Sequence, residues 1–306
     1  MIVVTNAGGN VNERAAEQYG IEICPQGVVV AGKTLDTRER VPFHEVDAWV
    51  RSSSQHPHVL GTTAREFVTV FQRVAAKDHE IIVVQGSKKL VQSYQAAASA
   101  AKTLHDHPRF RDVGIHVVDS KSTDIGVGLI AVLVAAAGAA GVPFAEAKRL
   151  ADAAPAHLTQ IATVRTFDYL IRGGRASVFK ARLAELMRIR PMIGWVDGEV
   201  VPVGRMSSKA DRAEKLAEHL RQTVGEGRAV WAAVAHGGDA PEAERLLTKL
   251  RADLDVEWGF VTPLAVTTYL NSGPGALNAA VLCVDRLPWR PEPPKLHGQT
   301  DAGTLP

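Results

Sequence analysis

The sequence predicts an α/β protein in which a parallel β-sheet, covered by helices, forms the first half of the chain. Three short apolar runs, at residues 1–5, 80–84 and 115–119, are typical of buried strands. Amphipathic stretches of helical period, residues 67–76 and 94–104, lie between these runs. Strands and helices that alternate at this spacing form parallel sheets, so we expect this architecture for the N-terminal half.

A second alternation of strand-like and helix-like segments begins near Ala154. We therefore expect two domains, an N-terminal α/β domain over residues 1–153 and a second α/β domain over residues 154–286. Residues 287–306 are rich in proline and are expected to form a disordered tail.

The expected elements of the second domain follow from the same patterns. Asp197-Gly198 is typical of a hairpin turn. Helices are expected over residues 208–224 and 240–254, and strands over residues 229–235, 258–266 and 277–285.

Composition excludes several classes of function. The 306 residues are 46% hydrophobic and 22% charged, as in ordinary globular proteins, and carry a formal net charge of +2. No long run of charge accompanies it, so general affinity for nucleic acid is not expected. Cys24 and Cys283 lie in or beside apolar runs and form no Cys-x-x-Cys pair. We expect two buried, reduced thiols, and neither a metal nor a cofactor.

The N-terminus and one uncharged segment are the places where a targeting signal or a membrane span would be found. Residues 1–6 lack a basic region followed by a long apolar stretch, so we expect no signal peptide and a cytoplasmic protein. Residues 125–142 carry no charge, but they fall short of the ~20 apolar residues that a membrane span needs. Because their second half is mostly alanine and glycine, we expect a helix inside the core and no transmembrane segment.

Ligands of parallel sheets bind at the carboxyl ends of the strands. This rule directs attention to the loops at residues 6–10, 85–89 and 120–124. The first is loosely glycine-rich but lacks the third glycine of a dinucleotide site, so a tight turn is expected there. The sequence contains no nucleophile elbow and no phosphate-loop lysine motif.

Thr62 and Thr63 precede a helix-like pattern, and Glu66 is placed to complete a capping box with Thr63. Two interpretations remain open. Thr63 is a helix cap and nothing else, or the hydroxyls and free amides of the helix start bind an anion such as a carboxylate.

Several other polar groups have a structural and a functional interpretation. Arg172-Gly173-Gly174-Arg175 is either a solvated turn or a pair of guanidiniums for a carboxylate or phosphate. Asn271 and Ser272 precede a Gly-Pro-Gly turn and could project polar atoms toward a ligand. His56, His58, His105 and His107 lack metal-ligand spacing and are expected at the surface.

Seven motifs occur in an order that resembles one known family, the DegV family of bacterial fatty-acid-binding proteins. The opening strand, Thr62-Thr63 at a Thr-Ser-Gln-Pro position, and Val118-Asp119-Ser120 as Val-x-Asp-Ser belong to this set. The others are residues 90–97, 170–175, 190–193 with 197–198, and 273–277, which resemble Leu-Ser-Gly-Thr-Tyr-Gln-Ser-Ala, Tyr-Leu-x-x-Gly-Gly-Arg, Lys-Pro-Ile with Asp-Gly, and Gly-Pro-Gly-Ala-Leu. The resemblance covers about residues 1–285.

The resemblance implies a two-domain DegV-like α/β fold with a long-chain fatty acid, or a related amphiphile, in an internal tunnel. It also implies a role in phospholipid metabolism, in which the protein presents the acyl carboxylate to a partner fatty acid kinase and is not itself the catalyst. The headgroup ligands that it implies are Thr62, Thr63, Ser93 and Asn271, with Arg175 nearby.

Several positions depart from the family pattern. Val91 replaces a serine and cannot donate a hydrogen bond, Asn271 replaces a histidine, and Asn6-Ala7 replaces Asp-Ser. Ser87 is a possible substitute donor in the same loop. The alternative is a diverged relative that acts as a regulatory or protein-interaction module. An enzyme for a small phosphorylated metabolite, based on Arg175 and residues 236–238, is a third hypothesis.

Overall fold

The structure is a computed structural model and describes residues 1–30, 32–36, 43–52, 56–174, 190–207 and 209–294. It has an α/β fold, as predicted, and the described residues form three sheets. The predicted strands and helices of the first half are present within a few residues of their expected bounds.

The N-terminal half contains a four-stranded sheet of order β2-β1-β6-β7, in which every strand is parallel to its neighbours. A small antiparallel sheet has the order β4-β3-β5, and its strands lie between β2 and β6 in the sequence. The strands are β1 (Ile2–Asn6), β2 (Glu22–Cys24), β3 (Gly27–Val30), β4 (Lys33–Asp36), β5 (His58–Leu60), β6 (Glu80–Gln85) and β7 (Gly114–Asp119). The helices are α1 (Glu13–Tyr19), α2 (Phe43–Ser52), α3 (Ala64–Ala75), α4 (Ser93–His105), α5 (Ile125–Ala139) and α6 (Phe144–Ala153).

The C-terminal half contains a six-stranded mixed sheet of order β10-β9-β8-β13-β11-β12. Only β11 and β12 are parallel within it. The strands are β8 (Leu158–Thr163), β9 (Arg190–Val196), β10 (Glu199–Met206), β11 (Ala229–His236), β12 (Asp255–Pro263) and β13 (Leu277–Cys283). The helices are α7 (Asp168–Arg172), α8 (Arg212–Val224), α9 (Ala240–Asp253) and α10 (Val266–Ser272). The predicted hairpin turn joins β9 and β10, with Asp197 and Gly198 both at positive φ.

Alternation along the strands places the two large sheets on either side of one shared core. In β6, Ile82 and Val84 face the same apolar cluster as α5, whereas Ile81 and Val83 pack with α3 and α4. In β11, Trp231 faces the α5 cluster, and its neighbours pack with α8 and α9. Successive strand residues point to opposite faces, so each sheet is covered on both sides.

Helix α5 lies between the two sheets, because it contacts β1 and β6 on one side and β11 and β13 on the other. All its residues from Ile125 to Ala137 are buried, which confirms the core helix that the sequence predicts for this apolar segment. No helix in the described ranges has the length and apolar character that a bilayer crossing would need.

The C-terminal segment differs from the disordered tail that the sequence predicts, as far as residue 294. Leu287 and Trp289 pack against the core around α5, and Arg290 forms an ion pair with Glu257. The burial of these apolar side chains holds the extended, proline-rich segment against the core. Residues 295–306 lie outside the described part of the chain. The division into two domains stays a prediction, and its boundary after residue 153 falls at the end of α6.

The close approach of α5 to the loop after β1 yields a stability prediction. A Cβ on Gly128 would lie 2.7 Å from the Asn10 carbonyl oxygen and 2.8 Å from that of Gly9. Gly128→Ala should lower the free energy of unfolding by about 1–3 kcal/mol, because backbone atoms cannot yield as a flexible side chain would. Urea denaturation of the purified variant measures this change.

Gly61→Ala, in the loop between β5 and α3, is the control for a glycine without close neighbours, since no atom lies within 4 Å of the added carbon. Without the clash, an alanine at the helical position 128 would stabilise α5 by ~1 kcal/mol over glycine. A Gly128→Ala protein as stable as the wild type, or more stable, would contradict the tight contact.

Candidate functional site

A cavity of about 340 Å³ lies where the two halves of the chain meet. This volume is within the range of ligand-binding pockets. The loops that follow β1, β6 and β7 contribute Gly8, Gly86 and Thr123 to its wall. The three loops to which the sequence directed attention therefore line one cavity. Strands β8, β9 and β10, with α10 and the turn after it, form the opposite wall.

Polar oxygens converge around Gly8 on one side of the cavity. A Cβ on Gly8 would lie 2.7 Å from Gln26 Oε1, 3.3 Å from Thr267 Oγ1 and 3.4 Å from Asn6 Oδ1. All four residues line the cavity. Residues 7–9 form a single 3-10 turn after β1, in agreement with the predicted tight turn. Because glycine has no side chain, these polar side chains can approach the backbone of the turn closely.

The other side of the cavity wall is largely apolar. Val91 follows β6, Val127 belongs to α5, and Ile193, Trp195 and Val200 come from β9 and β10. A wall of this composition accommodates a hydrocarbon chain, while the side around Gly8 accommodates a polar group.

Thr62 and Thr63 have different surroundings. Thr62 is buried; its hydroxyl donates to the Pro25 carbonyl oxygen over 2.8 Å and accepts from Asn6 Nδ2 over 3.3 Å. Thr63 is exposed and caps α3 in a complete capping box with Glu66. Neither threonine is among the residues that line the cavity. Thr62 adjoins the cavity through Asn6, and Thr63 forms the predicted capping box.

Ser93, Val91 and Asn271 all line the cavity. Ser93 is the buried first residue of α4, and its hydroxyl makes no hydrogen bond to the described part of the chain. Val91 adds an apolar surface that packs against Gly86. Asn271 donates from Nδ2 to the Thr267 carbonyl oxygen over 2.8 Å. Arg175 lies outside the described residues.

Ser87, the possible substitute donor, is used elsewhere. Its buried hydroxyl donates to the Gly198 carbonyl oxygen over 2.6 Å and accepts from the Lys89 amide. Two ion pairs join the same hairpin to the N-terminal loops, Lys121–Asp197 at 3.4 Å and Lys89–Glu199 at 3.0 Å. The hairpin is thereby held over the loop that follows β6.

Asp124 is a buried carboxylate at the start of α5, directly behind the cavity wall. Its Oδ1 accepts a hydrogen bond from Asn10 Nδ2, and its Oδ2 is buried without a hydrogen-bond partner among the described residues. Asn10 Nδ2 also donates to the Pro263 carbonyl oxygen over 3.1 Å, which ties the two halves together. Burial raises the pKa of Asp124 to about 6, although the hydrogen bond from Asn10 favours the ionised form.

The histidines are placed mostly as expected. His58, His105 and His107 are exposed, and the described residues contain no cluster of metal-ligating side chains. His56 is half-buried instead, and its Nε2 donates to the Leu270 carbonyl oxygen over 2.8 Å. Burial lowers the pKa of His56. His236, on which the third hypothesis partly rests, accepts from the Gly238 amide at Nδ1 in a local turn.

Sequence reasoning missed three of the lining residues that shape this site. Lys89 gave no signal, because a charged loop residue is usually solvated. Thr267 lies on a helix that the motifs did not mark, and Trp195 precedes a hairpin that indicated only a turn. Their position depends on contacts between segments far apart in the sequence.

Comparison with known proteins identifies what the chain is similar to. The family model DegV, described as an uncharacterised protein of the DegV family, matches residues 1–283. A DegV domain-containing protein of Mycobacterium tuberculosis is 28% identical over 288 residues, which is 93% of this chain and 97% of that protein. A fatty acid-binding protein of Thermotoga maritima is 24% identical over 275 residues, 88% of this chain and 93% of that protein.

A solved structure shows the same fold. It is that of a DegV family protein from Thermus thermophilus, described with its fatty acid binding. It superposes with a TM-score of 0.84 at 20% sequence identity, and the match covers 92% of this chain and 99% of that chain.

The environment of Asp124 predicts how stability depends on pH. The raised pKa means that the folded state binds a proton more tightly than the unfolded state, in which an aspartate titrates near 3.8. The contribution of Asp124 to stability is therefore complete below pH 3.8 and is lost as the pH rises through about 6. Asp124→Asn removes this titration.

The difference in unfolding free energy between Asp124→Asn and the wild type should shift by roughly 1–2 kcal/mol, in favour of the variant, from about pH 5 to about pH 8. Chemical denaturation at both pH values measures it. Comparison of the two proteins cancels the titration of the histidines. A difference that stays constant with pH would contradict the assignment.

Proposed function

The chain belongs to the DegV family, and from this premise we propose that it binds a long-chain fatty acid or a related amphiphile in the cavity. The bound ligand presents its carboxylate to a separate fatty acid kinase, and the chain itself is the binding partner and not the catalyst. The observation that carries this proposal is the cavity of about 340 Å³, with its apolar and polar sides, between the two halves.

Energetics support an acyl ligand. Each methylene that leaves water for an apolar wall contributes about 0.8 kcal/mol. The apolar side of the cavity, which includes Val127, Ile193 and Trp195, supplies such a wall. A long chain of methylenes therefore provides most of the affinity, and the polar groups determine which end of the ligand lies where.

The headgroup needs hydrogen-bond donors, because a buried carboxylate without partners is strongly disfavoured. Ser93 is the principal donor in this proposal, because its hydroxyl is buried and lines the cavity. Asn271 lines the same cavity with an amide. Thr62 acts through Asn6, because its hydroxyl accepts a hydrogen bond from Asn6 Nδ2. Arg175 is proposed on the family resemblance alone.

The cavity wall lacks an obvious catalytic pair: within the described ranges, the lining side chains are neutral apart from Lys89. Neutral polar groups hold a ligand but do not readily transfer protons, since their pKa values lie far from neutrality. This composition supports binding and presentation, with the phosphoryl chemistry left to the partner.

The alternative is a diverged relative that acts as a regulatory or protein-interaction module. The apolar Val91 and the uncharged Asn271 in the cavity wall motivate it. A pull-down distinguishes the two: a kinase subunit captured only by the lipid-loaded protein supports presentation, whereas capture that does not depend on lipid supports the alternative.

Native mass spectrometry tests the binding itself. We expect the purified protein to carry a co-purified acyl ligand, because a long-chain fatty acid leaves an apolar cavity slowly. The measured excess mass identifies the chain. An empty protein that also fails to take up labelled palmitate would refute the proposal.

Substitution of Ser93 tests the headgroup site. Ser93→Ala should weaken palmitate binding by roughly 10- to 100-fold, the effect of one buried hydrogen bond to a charged group. Thr63→Ala is the matched control: it should lower the free energy of unfolding by ~1 kcal/mol through loss of the cap and leave affinity unchanged. Isothermal titration gives the affinity, and equal affinities for wild type and Ser93→Ala would exclude Ser93.

A further inference from the structure

Charge is scarce around the cavity. Lys89 carries the one charged side chain among the lining residues in the described part of the chain. It lies in the loop between β6 and α4, two positions before Val91 and four before Ser93. A carboxylate that enters the cavity loses its hydration, and hydrogen bonds from neutral groups alone recover only part of that free energy. Lys89 is therefore the nearest cation along this loop to the Ser93 hydroxyl.

Lys89 is one of the residues that line the cavity, in the loop that also contributes Gly86 and Leu90. Its Nζ lies 3.0 Å from Oε1 of Glu199, which precedes the lining residue Val200. The ammonium group therefore lies at the contact between the loop after β6 and the hairpin of β9 and β10.

The partner of Lys89 holds it only weakly. The side chains of Lys89 and Glu199 are 45% and 62% exposed. A solvated pair of this kind contributes little to stability, because water competes for both charges. The Lys89 ammonium can therefore leave Glu199 for the carboxylate of a ligand at little cost in free energy.

We propose that the Lys89 ammonium binds the carboxylate of the ligand, and that Glu199 competes with the ligand for it. This inference rests on the proposed function, since it requires an acyl ligand in the cavity. It makes Lys89 a specificity-determining residue, which favours ligands with an anionic headgroup over neutral amphiphiles of the same length.

The hairpin does not depend on this ion pair. The buried hydrogen bond from Ser87 to Gly198 and the Lys121–Asp197 ion pair also hold it. Lys121 is therefore the matched control: it pairs with the same hairpin, at 3.4 Å, but does not line the cavity.

Three variants and two probes test the proposal. Lys89→Met, Glu199→Gln and Lys121→Met are compared with the wild type for binding of palmitate and of hexadecanol, its uncharged counterpart. Lys89→Met should weaken palmitate binding about tenfold, as expected for loss of a charge-assisted hydrogen bond, and leave hexadecanol binding unchanged. Lys121→Met should change neither. Glu199→Gln should strengthen palmitate binding, because it removes the competitor.

The opposite signs of the two effects are decisive. Lys89→Met and Glu199→Gln break the same ion pair, so a purely structural clamp predicts that both weaken palmitate and hexadecanol alike. That result, or unchanged palmitate binding in Lys89→Met, would overturn the inference. Binding of neither probe by the wild type would instead refute the proposed function, so the two failures are distinguishable.

Discussion

The packing of the buried helix α5 between two sheets is the interaction on which the rest of the structure depends. Every side chain from Ile125 to Ala137 is buried, and the helix contacts strands from both halves of the chain. Small residues make this possible: at Gly128 a Cβ would lie within 2.8 Å of two backbone oxygens. Larger residues would push the sheets apart, because interiors are close-packed and do not deform freely. The position of α5 thus determines how the two sheets face each other.

The cavity follows from that arrangement. Parallel strands β1, β6 and β7 end at one edge, and their loops meet β8, β9 and α10 of the second half there. Asp124 adds a polar link at the start of α5, where its carboxylate accepts from Asn10 Nδ2, which also donates to the Pro263 carbonyl oxygen of the second half. A buried carboxylate is costly in isolation, and the hydrogen bond from Asn10 offsets part of that cost. The contacts that join the two halves of the chain therefore lie beside the cavity that the halves enclose.

The cavity has a polar and an apolar side. Polar oxygens converge around Gly8, Ser93 offers a buried hydroxyl, and valine, isoleucine and tryptophan side chains form the other side. The proposed acyl ligand, a hydrocarbon chain with a polar end, matches such a surface better than a small polar metabolite does. In the proposed role of Lys89, its ammonium group, paired with the exposed Glu199, discriminates a charged end of the ligand from a neutral one.

Periodicity and turn chemistry determined much of this protein from the sequence alone. The strands, the small-residue helix, the hairpin at Asp197-Gly198 and the cap at Thr63 each follow from a pattern of residues within a short stretch of chain. The ordered motifs also indicated the family. Tertiary structure decided which polar groups reach the cavity. The Thr62 hydroxyl donates to the Pro25 carbonyl oxygen and the Ser87 hydroxyl to that of Gly198, and both partners lie far away in the sequence. It also brought Lys89 to the cavity edge, because that position exists only once the hairpin packs on the loop after β6.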